Sequence, residues 1–458
     1  MNSCGKLMEL IEKSLFSEMI SFFEIDYIKI KLVKMSLQKC LASRKDCSGE
    51  GKTLSMTEIL EICKSTNQEA PSKFLFVVLP DGEDYSGGLY SYKEKVLRLI
   101  TDKEKTQYSM EVYPELVWKE SIEFEDLIRV GITWQYLSLK VDSLGLGVSQ
   151  RARAPKKYNK LVNNVRNQNF ALLYSVAVRE RDRAALVEDK TEPLQKKVEE
   201  GRILLDTPAC YKNRAIYENK YKGVPLDDAI FNRVDEKAPN HTNLDQISQL
   251  LWACQGENDH TTHGNRDALE KNGYGRVHAS GCAGYAVYPL IYVKDLVDVP
   301  NGSYHYNPVG YSALNRWIMV NEIKVYDHFM QKFNSETPSA EIEKEFDTSF
   351  SNYAILLCID RKKPCAGLLH RVMNLKYWAE VEAGMALAGL QLQANALGLK
   401  WQKKILSNPD DPRYRTLFSL DSAEQSINNM ANNLVNRANN ERVSLEGNLI
   451  PIALFHLL

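Results

Sequence analysis

The chain has 458 residues, 44% hydrophobic and 26% charged, with a formal net charge of −1. That length exceeds one ordinary core and suits two to three domains. The balanced charge argues against a general binder of nucleic acid or anionic membrane. No run of roughly eighteen apolar residues is present, so no membrane-spanning helix is expected.

The nine cysteines are odd in number and form no C-x-x-C pair, which points to reduced thiols in a cytoplasmic protein rather than a disulfide framework. The first segment, residues 1–35, places Leu7, Leu10, Ile11 and Leu15 at helical spacing. It reads as an amphipathic packing arm rather than a cleaved leader, because Lys and Glu interrupt its apolar positions.

From there the chain says many things twice. "SLQKCLASRKD" (Ser36–Asp46) resembles "PLDDAIFNRVD" (Pro225–Asp235). Helix-like "LSMTEILEIC" (Leu54–Cys63) and "LDQISQLLWACQG" (Leu244–Gly256) follow. Next come strand-like "KFLFVVL" (Lys73–Leu79) and "YPLIYV" (Tyr288–Val293), rich in β-branched and aromatic residues. Each is followed by a Gly-x-Tyr-x-Tyr stretch, "GLYSY" (Gly88–Tyr92) and "GSYHY" (Gly302–Tyr306), read as a turn from its glycine. Two long helices end alike, in "YLSLKVDSLGLGV" (Tyr136–Val148) and "GLQLQANALGLKW" (Gly389–Trp401). With Gly145 set on Gly398, Gly131 falls on Gly384, Leu137 on Leu390 and Leu139 on Leu392. Closing strands are expected at Asn169–Val178 and Leu449–Leu458, and "NNMANNLVNRANNE" (Asn428–Glu441) keeps helical apolar spacing.

Between the repeats, Glu180–Arg202 is highly charged with sparse apolar residues and reads as a solvated helical linker. The organisation that follows is an arm at 1–35, a degenerate repeat at 36–180, a charged helical linker at 181–220 and a second repeat at 221–458. A duplication this long reads as a fused dimer, two like domains tied into one chain.

The repeated elements resemble the FMN-dependent nitroreductase family, in particular its peptide-modifying thiazoline and oxazoline dehydrogenases. "LLWACQG" (Leu250–Gly256), "RVHASGCAGYAVYPLIYV" (Arg276–Val293), "GSYHYNP" and "EAGMALAGLQLQANALGL" (Glu382–Leu399) carry the likeness. Ala279 replaces a usual Pro, Met385 a usual His and Gly389 a usual Asn. The resemblance implies an α+β fold with an antiparallel sheet flanked by helices in each of two domains. It also implies FMN at the interface between them.

Flavin phosphate needs cations or backbone donors, and the ring needs a flat apolar slot with a few polar groups. The resemblance puts the phosphate and pyrimidine on "RKDCS", with Arg44, Lys45 and Ser48, and on "NRVDE" of the second repeat, where only Arg233 fits and Glu236 would repel an anion. A loop from the partner domain covers the ring: Ala279, Ser280 and Gly281 in the second repeat, the shorter Pro71-Ser72 in the first. After each Leu-Gly-Leu, Arg151, Arg153 and Lys403 are candidate cofactor contacts or helix-end cations. Lys376 and Tyr377 occupy the place of the peptide dehydrogenases' base pair. One composite site, Arg44/Lys45 with the Ser280 loop, is expected intact and its reciprocal broken.

His260 and His263 sit in the polar, insertion-like "DHTTHG" (Asp259–Gly264), with His278 downstream and no cysteine at ligand spacing, so no metal site is expected. "GYGRVHASG" precedes a strand and is not a dinucleotide fingerprint. The expectation is a two-electron FMN oxidoreductase acting on a small-molecule or peptide substrate, such as a heterocyclised peptide. It leaves room for a homodimer or a modifying-enzyme partner. The alternative is a flavin-free scaffold or partner subunit.

Overall fold

Ser36 and Pro225 meet in an isolated antiparallel bridge, and Leu37 N donates to Val224 O at 2.9 Å. The two repeats therefore begin side by side, at the residues the sequence sets in register. The computed structural model describes residues 35–43, 52–70, 75–114, 116–117, 123–151, 170–171, 175–180, 201–205, 224–232, 243–261, 274–278, 286–297, 299–307, 329–336, 339–346, 352–361, 378–435 and 449–458. Ser36–Leu458 form one compact unit.

The first repeat contains α1 (Leu37–Ser43), α2 (Met56–Thr66), β1 (Leu75–Leu79), β2 (Gly88–Lys93), β3 (Val96–Thr101), β4 (Met110–Pro114), β5 (Leu116–Val117), α3 (Phe124–Ser143), β6 (Leu146–Arg151), β7 (Phe170–Ala171) and β8 (Ser175–Glu180). β9 (Arg202–Leu204) follows. The second repeat contains α4 (Leu226–Phe231), α5 (Leu244–Gln255), β10 (Glu257–Thr261), β11 (Tyr274–Arg276), β12 (Val287–Val293), β13 (Gly302–Asn307), β14 (Phe329–Asn334), α6 (Ser339–Phe346), β15 (Tyr353–Asp360), α7 (Trp378–Ala396), β16 (Trp401–Ile405), α8 (Arg413–Leu417), α9 (Leu420–Val435) and β17 (Leu449–Leu457).

The strands form a six-stranded sheet, β3-β2-β1-β4-β8-β6, and a seven-stranded sheet, β16-β17-β15-β12-β13-β14-β9. Read from the other end and without β9, the second order is β14-β13-β12-β15-β17-β16. Each position then matches its counterpart in the first sheet. All the ladders in both sheets are antiparallel. The structure is thus an α+β fold written twice.

Local signals explain the matching helices. α2 opens with a capping box in which Ser55 and Glu58 satisfy each other's backbone N–H, and α5 does the same with Asn243 and Gln246. Both long helices stop at a left-handed glycine, Gly145 at φ +74° and Gly398 at φ +67°, with open space where a side chain would stand. Backbone conformation, not crowding, requires glycine there. That is why Leu-Gly-Leu appears twice.

Two expectations differ from the structure. The Gly-x-Tyr-x-Tyr stretches are strands, not turns: Tyr90 and Tyr92, like Tyr304 and Tyr306, alternate into the core at period two. The charged stretch between the repeats ends in a strand, with Arg202–Leu204 pairing with β14. Residues 181–200 of the expected linker lie outside the described residues.

The halves join through α3 and α7, which cross at Gly131 and Gly384. A methyl group on Gly131 would overlap the Val381 carbonyl oxygen and come within 2.8 Å of Gly384 Cα. One on Gly384 would overlap the Ile128 carbonyl oxygen and come within 2.9 Å of Gly131 Cα. The contact is reciprocal, as at a two-fold axis. Trp134 and Trp378 pack 5.6 Å apart beside it. Trp378, Val381 and Met385 all enter the first repeat's core. Gly389 serves another close approach: a methyl group there would overlap the Ala253 carbonyl of α5.

The described cysteines Cys40, Cys63, Cys254 and Cys358 are buried thiols, none in a disulfide. Burial pushes the Cys63 thiol up to about 12, so it stays protonated and inert. No described helix is long and apolar enough to cross a membrane.

We expect Gly131→Ala and Gly384→Ala each to lower the unfolding free energy measured in urea by at least the ~1–3 kcal/mol of core overpacking. Gly145→Ala should cost only the ~1–2 kcal/mol of a left-handed residue. Stability should also fall with acid. His305, fully buried on β13 with Nε2 3.1 Å from Ser426 Oγ, is held by burial and by Arg202 at a pKa of about 3. The unfolded chain takes up this proton near pH 6.5 and the native chain does not. Between about pH 6.5 and 3 each unit of acidification should therefore remove on the order of 1 kcal/mol. His305→Gln should flatten that slope in pH-dependent urea titrations.

Candidate cofactor site at the junction of the repeats

The pseudo-two-fold relation creates two junctions, and the described residues show them to be unequal. In the first, α1 of the first repeat lies against β10 of the second. The hairpin β10–β11 leads into Val277 and His278, immediately before Ala279, Ser280 and Gly281. Gln135, one turn beyond Gly131 on α3, reaches across and donates from Nε2 to Val277 O at 2.9 Å. Val277 N in turn bonds Gly256 O at 3.0 Å.

The far end of the same loop is fixed from α7. Glu382, fully buried, accepts the Ala286 N–H at 2.8 Å, and Ala286 O accepts from Asp360 N at 2.9 Å. The chain carrying the expected flavin loop is therefore anchored at both ends by buried side chains flanking the helix crossing. Gln135 is 1% exposed, and its Oε1 has no hydrogen-bond partner among the described residues. Ser138 Oγ, about one turn further along α3, is also buried and has no partner among the described residues. These acceptors are available to a ligand donor or water.

At the second junction, described side chains of the two repeats meet each other directly. Lys403 on β16 extends to Glu69 of the first repeat, Nζ to Oε2 at 3.2 Å. Lys64 of α2 stands 4.5 Å from the Phe231 ring centroid at the end of α4. Asn395 Nδ2 donates to Ala229 O and Trp401 Nε1 to Asn395 Oδ1, each at 2.8 Å, tying α7, β16 and α4 together. Among the described residues the first repeat has no hairpin matching β10–β11: α2 ends at Thr66 and β1 starts at Leu75.

The same inequality recurs deeper in the interface. Lys140 on α3, 6% exposed, lies 2.9 Å from Asp227 and 3.2 Å from Glu61. At the matching place on α7, Gln393 lies 3.2 Å from Gln249 and 3.4 Å from Gln38. One twin uses charge, the other neutral amides.

Of the residues singled out in the sequence, Lys403 is placed at the second junction with Glu69. Arg151 ends β6, and its side chain lies outside the described residues, as do Arg44, Lys45, Ser48, Arg153, Arg233, Ala279, Ser280, Gly281, Lys376 and Tyr377 altogether. Lys376 and Tyr377 immediately precede Trp378 in the chain. Arg361 and Glu380 flank their segment and pair at 2.7 Å, with Asp410 also on the guanidinium at 3.0 Å. Burial alone would lower the Arg361 pKa, but these carboxylates raise it and keep it charged. Sequence reading missed Gln135 and Glu69. A lone glutamine inside the apolar run "GITWQYLSL" was the available signal for the first. Among the described residues no group of three or more His, Cys, Asp or Glu is placed to hold a metal ion.

No family model matches the sequence, and neither does any curated protein. Solved structures do. A provisionally assigned nitroreductase from Anabaena variabilis ATCC 29413 is 12% identical, with a TM-score of 0.50 over 89% of each chain. A second, from Ralstonia eutropha JMP134, is 15% identical and covers 60% of this chain and 96% of its own, with a TM-score of 0.35. The E. coli microcin synthetase McbBCD complex with truncated pro-MccB17 bound is 15% identical over 50% of this chain and 70% of that one, at a TM-score of 0.27. The first match defines the class: the chain has the nitroreductase fold. Its coverage is more than either repeat alone could supply.

Gln135→Leu should leave the Val277 carbonyl buried without its donor and cost about 1–3 kcal/mol in urea denaturation. Lys403→Met, which breaks a partly exposed ion pair, should cost no more than about 1 kcal/mol.

Proposed function

We propose that the chain is an FMN-dependent oxidoreductase of the nitroreductase family, built as a fused pseudodimer with one working flavin site. The observation that carries this reading is the inequality of the two junctions. In the first, buried groups from both repeats brace the loop bearing Ser280 and leave Gln135 Oε1 open as an acceptor. In the second, Glu69 neutralises Lys403 and adds negative charge where an anion would approach.

In this reading Arg44 and Lys45 follow α1 and attract the flavin phosphate, with Ser48 and Arg151 or Arg153 as further polar contacts. Ala279, Ser280 and Gly281 cover the ring from the other repeat. The open acceptor of Gln135 suits a ring N–H donor, and the apolar surroundings of α3 and α7 exclude water. Bound FMN supplies two-electron hydride chemistry. Lys376 and Tyr377, entering α7 at Trp378, hold or remove the substrate proton. The substrate class is a small molecule or peptide, including a heterocyclised, amino-acid-derived ring. A partner enzyme of a peptide-modifying complex, or a second chain, is compatible with that role.

Titration with FMN, followed by quenching of flavin fluorescence, tests the reading. Arg44→Ala and Ser280→Ala should each weaken binding by tenfold or more, about 1.4 kcal/mol per decade. Lys403→Met should leave affinity within about twofold, below ~0.5 kcal/mol. Absence of binding at tens of micromolar FMN would instead favour the flavin-free partner subunit.

A further inference from the structure

The twin sheets end differently at corresponding edges. In the second, β14 is covered by β9, with antiparallel pairs Phe329↔Leu204, Met330↔Ile203 and Gln331↔Arg202. Lys332 N adds a bond to Gly201 O at 2.8 Å. Arg202 lies 4.2 Å from the Phe329 ring centroid, and Phe329 is 2% exposed. In the first sheet the corresponding strand, β3, is the last of the described strands.

The registers align the two edges residue by residue. Tyr90 and Tyr92 pair with Leu99 and Leu97; Tyr304 and Tyr306 pair with Lys332 and Met330. Leu99 therefore corresponds to Lys332, Leu97 to Met330 and Val96 to Phe329. The β2–β3 hairpin closes through Glu94 and Lys95, both at positive φ, a two-residue turn whose flanking pair Lys93/Val96 is hydrogen-bonded. By alternation, Leu97 and Leu99 turn their N–H and C=O away from β2. Met330 and Lys332 turn theirs toward β9 in the twin.

Where the twin is covered, β3 is bare: Val96 is 47% and Leu99 49% exposed. Leu97 packs on the core, and Leu99 continues that face outward. We propose that β3 is an acceptor edge for an extended segment of a separate polypeptide. That segment adds antiparallel, with apolar residues opposite Leu97 and Leu99 and an acidic residue opposite Arg98. A second copy of this chain fits poorly. Symmetric pairing of Leu97 with the other Leu99 would set Arg98 directly against Arg98, a like-charge pair that destabilises a ladder. Exposed Lys95 adds a cation at the hairpin turn, while Lys93 is paired with Glu94 at 3.3 Å.

The test is amide hydrogen exchange on the full chain at Leu97 and Leu99, with the probe peptide acetyl-Thr-Val-Glu-Val-Thr amide and its Glu-to-Lys version. The acidic peptide at millimolar concentration should slow exchange at both amides at least tenfold, and the lysine peptide much less. Leu99→Pro removes an outward N–H without touching the β2 ladder and should abolish the effect. Arg98→Glu, which leaves the backbone unchanged, should reverse the peptide preference. Unchanged exchange with the acidic peptide, or equal protection by both peptides, overturns the proposal. So does protection that grows with protein concentration alone, which would assign the edge to a second copy.

Discussion

Everything in the architecture depends on two glycines that let two helices touch backbone to backbone. Gly131 and Gly384 bring α3 and α7 so close that each helix's carbonyls occupy the volume of a side chain on the other. Such an approach releases dispersion contact along the whole crossing and forbids any larger residue. It also fixes the pseudo-two-fold axis. The bridge Ser36–Pro225, the matched sheets and the paired junctions all follow from that one contact.

Two halves in one chain are free to diverge, since each keeps its partner whatever its own sequence becomes. The divergence is consistent across the interface. Lys140 with Asp227 and Glu61 faces Gln393 with Gln38 and Gln249. A junction with buried acceptors on Gln135 and Ser138 faces one spanned by the Lys403–Glu69 pair. A covered sheet edge faces a bare one. Identical subunits could hold none of these differences. A duplicated chain can specialise one junction for a ligand and use the other for stability.

The duplication was legible because its strongest marks are local. A left-handed helix end needs glycine, and a helix start needs a cap, so Gly145/Gly398 and Ser55/Asn243 survive divergence of everything around them. The same glycine logic misled at Gly88 and Gly302. There glycine starts a strand, and the alternating tyrosines were the better guide. β9 was hidden because three residues inside a charged stretch form a strand only where β14 offers an edge. The site was the least legible part. Gln135, Glu382 and Glu69 act across elements far apart in sequence, and no short motif announces such contacts. Met385 and Gly389, which depart from the pattern the sequence otherwise resembles, have packing reasons: one fills the first repeat's core, the other admits α5.

The most direct test of this account is the number of flavins that one chain holds at saturation. Equilibrium dialysis against excess FMN, with bound flavin read from its visible absorption against protein concentration, gives that number. The account predicts one FMN per chain, from one open and one closed junction. Two per chain would contradict the closure of the Lys403–Glu69 junction, and none would contradict the flavin site itself.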